Sequence, residues 1–215
     1  MYKQLIRNIA RESNFPVLAY GDDSFILKDQ LIQNLRTLSY IEQWKTLIDN
    51  KFFHIRMSDH SLFLFGEGER PSFSYIQCPL EIITFCEYLT SIGLENTPPN
   101  RKEHETDYWY VLETASERKH VTPIRFDYDE RGYKTGVHPA AHLHIGLQNQ
   151  IRLHSNKMTP LSFVLFVMRQ MYPECWTNLI YRSDEKVLSN IIRSEKTKVN
   201  QKFLQNLDAI ELRCT

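Results

Sequence analysis

The sequence has no excess of charge of either sign: 26 lysines and arginines stand against 26 aspartates and glutamates in 215 residues. A balanced chain has no overall field to draw it onto nucleic acid or an anionic membrane, so any such contact must be a local patch. Its four cysteines, Cys78, Cys86, Cys175 and Cys214, form no C-x-x-C pair. That excludes a zinc knuckle and a dithiol redox motif, and it fits reduced thiols better than disulfides. Residues Met1 to Asn14 are charged throughout and hold no apolar stretch of the signal-peptide kind. The apolar run Met158 to Met168 falls far short of the roughly 20 residues that span a bilayer. A cytoplasmic chain without a membrane partner is expected. Also missing are a glycine-rich phosphate loop, a G-x-S-x-G nucleophile elbow, an H-E-x-x-H helix, an internal repeat and a low-complexity tract.

What is present is apolar: 42% of residues are hydrophobic and 12% aromatic, enough for one well-buried core, so a single domain over residues 1–215 is expected. Leu5, Ile6 and Ile9 predict an amphipathic helix over Tyr2 to Glu12, followed by an apolar strand ending at Gly21-Asp22-Asp23. A helix from Asp29 to Asn50, breaking near Ser39, precedes a change to alternating apolar residues. That change predicts a meander with strands at Phe53 to Met57, Leu62 to Phe65 and Ser72 to Gln77. Pro79 is read as opening a helix from Leu80 to Ser91, and residues 95–107 as a mobile loop. Further strands are expected at Tyr108 to Glu113, Pro123 to Asp129, Ala141 to Leu147 and Ile151 to His154. A buried helix follows, with Thr159 as N-cap and Pro160 in its first turn, then helices over Cys175 to Arg193 and Val199 to Leu212. This order implies an α+β fold, an antiparallel sheet of about five to seven strands packed on N- and C-terminal helices. The basic run Arg182 to Lys202 mixes both signs at helical spacing and is read as a solvated helical face.

The segment that carries chemistry is Arg125-Phe126-Asp127-Tyr128-Asp129 followed by His138-Pro139-Ala140-Ala141-His142-Leu143-His144. Side chains alternate across a strand, so Arg125, Asp127 and Asp129 share one face, as do His142 and His144. Paired as a hairpin, the two rows would gather a guanidinium, carboxylates and two imidazoles in a patch about 10 Å across. Three readings follow. The histidines act as general acid and base while Arg125 holds a phosphate, as in metal-independent RNA cleavage. Alternatively, His142 and His144 with Asp127 or His138 bind a divalent metal that activates water. Or the row is a hydrated sheet face bearing surface ion pairs. For His138 the alternative to a site role is that of a turn residue capping the loop before Pro139, and Arg152 is a second candidate phosphate contact. His54, His60, His104, His120 and His154 are assigned surface or packing roles, and the row Tyr108-Trp109-Tyr110 strand-core packing rather than base stacking.

Ser58-Asp59-His60-Ser61, the Pro79 segment, Arg125-Phe126-Asp127-Tyr128-Asp129, His138-Pro139, His142-Leu143-His144-Ile145-Gly146 and Thr159-Pro160-Leu161-Ser162-Phe163 resemble a bacterial family, domain of unknown function 2290. That resemblance implies no activity. The order Arg125, Phe126, Asp127, His142, His144 is also similar to TumE-like toxins of toxin/antitoxin pairs, although Ala140-Ala141 stand where such toxins would carry more histidine. This second resemblance implies a nuclease-like, defence-related role on RNA. The expected function is therefore a toxin-like or phage-defence nuclease acting on RNA or a nucleotide phosphate. His142, His144, Asp127, Arg125 and His138 would be catalytic, Arg125 and Arg152 would bind substrate, and a divalent metal, if used, would sit on His142, His144 and Asp127. A cognate antitoxin or defence-system protein would be its partner. The rival is a non-catalytic component that binds a nucleotide or a protein through the same patch.

Overall fold

The computed structural model describes residues 2–22, 25–148, 151–182, 200–203 and 213–214. In chain order the elements are α1 (Tyr2–Ser13), β1 (Val17–Tyr20), α2 (Asp29–Arg36), α3 (Tyr40–Asp49), β2 (Ile55–Met57), β3 (Leu62–Gly66) and β4 (Ser72–Ile76). Next come α4 (Phe85–Ser91), α5 (Pro98–Glu103), α6 (Glu105–Glu113), β5 (Ile124–Tyr128), β6 (Ala141–Ile145) and β7 (Ile151–Ser155). Last are α7 (Pro160–Met171), α8 (Pro173–Arg182), a 3-10 turn at Gln201–Phe203, and β8 (Arg213–Cys214).

The strands lie in sequence order across one sheet, β1 to β7 antiparallel, with the two residues of β8 parallel beside β7. This is the expected α+β arrangement. Alternation gives each face its own core. Phe63, Phe73, Phe126 and Leu143 point at Ile6 and Ile9 of α1, Phe163 and Val167 of α7, and Leu179 of α8. Each such side chain contributes about 1.5–3 kcal/mol through its removal from water. On the other face Leu62 and Leu64 meet Trp44, Leu47 and Ile48 of α3. Both faces of β3 are therefore buried, and its sequence Leu-Phe-Leu-Phe loses the polar alternation of a half-exposed strand.

Local chemistry explains most boundaries. Ser39 splits the expected long helix because its hydroxyl accepts from the Glu42 amide while Glu42 caps the Ser39 amide at 2.8 Å, a reciprocal box that starts α3. Thr159 and Ser162 start α7 in the same way, with Pro160 in the first turn.

Three expectations are corrected. The helix predicted from Leu80 begins only at Phe85, where Thr84 and Glu87 form the capping box, and Leu80 instead bridges to Glu117. Residues 95–107, expected as a loop, hold α5 and the start of α6, because Thr97 caps a helix whose first turn accepts Pro98 and Pro99. Tyr108 to Glu113, expected as a strand, is the body of α6. Tyr108 and Leu112, one helical turn apart, are buried, while Trp109 and Tyr110 are exposed. The helix predicted over Cys175 to Arg193 is seen as α8 up to Arg182; residues 183–199, with most of the basic run, lie outside the described residues. So does most of the helix predicted over Val199 to Leu212. No helix among the described residues is long and apolar enough to cross a membrane.

Candidate functional site

β5 and β6 pair in the register that aligns their polar residues: Asp127 lies opposite His142, and Arg125 opposite His144. Phe126 and Leu143, between them, go to the core beneath α7. The neighbouring strands extend the rows. One runs Ser72, Asp127, His142, His154 across β4 to β7, and the other Ser74, Arg125, His144, Arg152. The sequence reading found the middle of both rows. It missed Ser72, whose hydroxyl donates to Asp127 Oδ1 at 2.7 Å, and it placed His154 among the packing histidines. Continuing the alternation through Ser72-x-Ser74 and Arg152-x-His154 would have found both.

Asp127 is the hub. Its Oδ2 accepts from Arg125 Nε at 2.8 Å and lies 3.4 Å from His144 Nε2. Burial works to raise its pKa. The hydrogen bond from His144, the Arg125 charge and the Ser72 hydroxyl outweigh that and hold the carboxyl well below the usual range, so it is a carboxylate at neutral pH. His142 Nδ1 is 2.9 Å from the Pro139 carbonyl oxygen. A carbonyl only accepts, so Nδ1 carries the proton and Nε2 keeps the lone pair. Burial first, then the neighbouring His144, pull the His142 pKa down to about 4, against the Asp127 charge and the Pro139 hydrogen bond. A neutral imidazole held by a backbone carbonyl is the form that ligates a metal.

One correction concerns exposure. A hydrated, surface-lying row was one expectation, yet His142 and His144 are only 2% and 4% exposed. The open side is formed by the side chains of Arg125 at 31% and Asp127 at 23%. Ligand atoms of Asp127, His142 and His144 all lie within 4.8 Å of one another, a geometry that could hold a metal ion. Two imidazoles and one carboxylate suit zinc, or an open-sided iron or manganese site.

The other predicted residues divide. The His138 ring packs edge-on at 4.8 Å from His142, and its Nδ1 is buried without a hydrogen-bond partner. Asp129 turns away to cap the following loop by accepting from the Arg131 amide. Arg152 is exposed and opposite His144 in register. His54 is a packing residue whose Nδ1 accepts from the Phe65 amide. His60, far along the sheet, belongs to a different constellation.

A family model described as "Uncharacterized conserved protein (DUF2290)" matches residues 9–209, and the chain belongs to that family. No curated protein and no solved structure matches it.

Proposed function

We propose that the protein is a metal-dependent phosphodiesterase acting on RNA or a nucleotide phosphate, with the ion held by Asp127, His142 and His144. The observation that carries this reading is the convergence of three ligand atoms within 4.8 Å, two of them on buried imidazoles. A bound divalent ion would supply Lewis acidity and an activated water. Asp127 contributes negative charge, and Ser72 and Arg125 orient it. Arg125 spends its Nε–H on Asp127; its two terminal nitrogens suit the non-bridging oxygens of a phosphate. Arg152, two strands further along the same row, adds a second cation. Among the described residues Cys78, Cys86 and Cys175 form no disulfide, which is compatible with a reducing compartment such as the cytoplasm. Cleavage of cellular RNA there would give the protein a toxin-like or defence role and require a restraining partner.

A second reading rests on the contact between His144 and Asp127. His144 Nε2–H donating to that carboxylate leaves the lone pair on Nδ1, the pairing of acid–base catalysis without a metal; Nδ1 is buried with no hydrogen-bond partner, so this reading requires the site to open before a substrate meets it.

The test is incubation of RNA with purified wild type, Asp127→Asn and a His142→Gln/His144→Gln double variant, in EDTA and with Mn²⁺ or Zn²⁺. Cleavage by wild type alone that EDTA stops and metal restores is the expected result. EDTA-resistant cleavage selects the acid–base reading. Absence of cleavage under every condition overturns both and favours a non-catalytic binding component.

A further inference from the structure

On the same face of the sheet, three strands from Asp127, Arg56 of β2 lies beside Trp109 of α6, with its guanidinium carbon 5.3 Å from the ring centroid. Three strand spacings are about 14 Å, so the two places are distinct. One terminal nitrogen of Arg56 contacts His60 Nδ1, while its Nε is buried with no hydrogen-bond partner.

The proton order of this chain is determined. The Ile83 carbonyl can only accept, so the Tyr108 hydroxyl donates to it at 2.8 Å. The tyrosine oxygen then accepts from His60 Nε2 at 3.0 Å, which leaves Nδ1 as a bare acceptor for Arg56. Burial and the adjacent Arg56 lower the His60 pKa to about 3, so His60 brings no charge. Among the described residues no carboxylate pairs with Arg56. A half-buried guanidinium with its Nε unpaired and no counter-anion carries a desolvation cost, and it marks a place where an anion would be favoured.

Arg56 and Trp109 line a cleft of about 900 Å³, whose walls include Phe25, Phe52, Asp22 and Asp49. Phe25 and Phe52 are stacked, 5.6 Å apart and 11° from parallel. Gly21 lets the end of β1 close against the Phe53 backbone: a Cβ there would lie 1.7 Å from the Phe53 carbonyl oxygen. His60 is held in a left-handed turn, φ 62°, and the Trp44 indole N–H donates to its carbonyl at 2.9 Å. The cleft is therefore built on a fixed frame, within the usual range of about 300–1,000 Å³ for small-molecule sites.

We propose that this cleft binds a nucleoside monophosphate, with the phosphate on Arg56 and the base among Trp109, Phe25 and Phe52. A purely apolar ligand would leave the guanidinium uncompensated. Bare phosphate would leave the aromatic walls unused. Asp22 and Asp49, both acidic, border the cleft and oppose a dense polyanion. This site does not depend on the proposed metal centre.

Calorimetric titration of the full chain with the four nucleoside 5′-monophosphates, in EDTA, tests it. The comparison ligands are the matching nucleosides, inorganic phosphate and a 5′-phosphorylated tetranucleotide. At least one monophosphate should saturate one site, with the nucleoside and phosphate each about tenfold weaker or worse. Arg56→Gln should abolish binding. Trp109→Ala, at an exposed rim position, should keep the wild-type melting temperature and weaken binding about tenfold. The tetranucleotide distinguishes a free nucleotide from the 5′ end of a strand: tighter binding than the monomer assigns the cleft to a strand end, and weaker binding assigns it to the free ligand. Absence of saturable monophosphate binding, equal binding of the nucleoside, or wild-type affinity in Trp109→Ala would overturn the proposal.

Discussion

His142 belongs to the candidate site and is also buried in the fold, and its substitution should act on stability as well as on any activity. His142→Ala removes the donor to the Pro139 carbonyl and opens a cavity at a residue 2% exposed. The loss should be about 1–3 kcal/mol in thermal or urea denaturation, larger than for a surface histidine. Protonation acts in the same sense. The unfolded chain takes up this proton near pH 6.5 and the folded chain only near 4. The unfolded state therefore binds more protons in that window, and stability falls as pH drops from about 6.5 to about 4. His60, lowered to about 3, extends the fall. Asp127 joins below about pH 4: its depressed pKa contributes stability that is present above the unfolded value and lost as pH falls through it. A His142→Gln chain should show a flatter melting temperature between pH 7 and 5 than wild type; an unchanged slope would show that His142 does not titrate as described. The side-chain alternation in Arg125-Phe126-Asp127 and His142-Leu143-His144 was readable from the sequence, because it depends on strand geometry alone. The burial of both histidines was not, since periodicity tells which face a residue occupies and not what covers it.

Elements whose local signals met no competing one were legible; those with rival local signals, such as α4 and α5, and those decided by distant packing were not. α7 announced itself through Thr159, Pro160 and an apolar body, and its energetics should follow. Phe163→Ala, at a side chain with no exposure between Phe63 and Phe73, should cost about 3–5 kcal/mol. Thr159→Ala, which removes the cap, should cost about 1 kcal/mol. Equal losses in the two melts would contradict the packing described here. α6 misled the reading because Tyr108-Trp109-Tyr110-Val111 has strong strand propensity. The helix wins because Tyr108 stacks on Phe85 at 4.5 Å and reaches His60, contacts between segments that no local window contains. At α4 the Thr84 and Glu87 box was present in the sequence, but Pro79 offered an earlier start that the bridge from Leu80 to Glu117 forecloses.

Over the whole molecule, the sheet buries one face under α1, α7 and α8 and part of the other under α3, and the Asp127 and His142 row lies further along that second face. Binding linked to the folded state should therefore stabilise the chain as a unit. A divalent ion at about 100 times its Kd adds about 2.7 kcal/mol, which for a chain of this size raises the melting temperature by about 5–10 °C. That shift should be absent in the His142→Gln/His144→Gln variant. The most direct test is calorimetric titration of wild type and Asp127→Asn with Mn²⁺ and Zn²⁺. One saturable equivalent in wild type, lost or weakened about tenfold or more in Asp127→Asn, is the predicted result. No saturable binding, or binding that Asp127→Asn leaves unchanged, would contradict the metal centre.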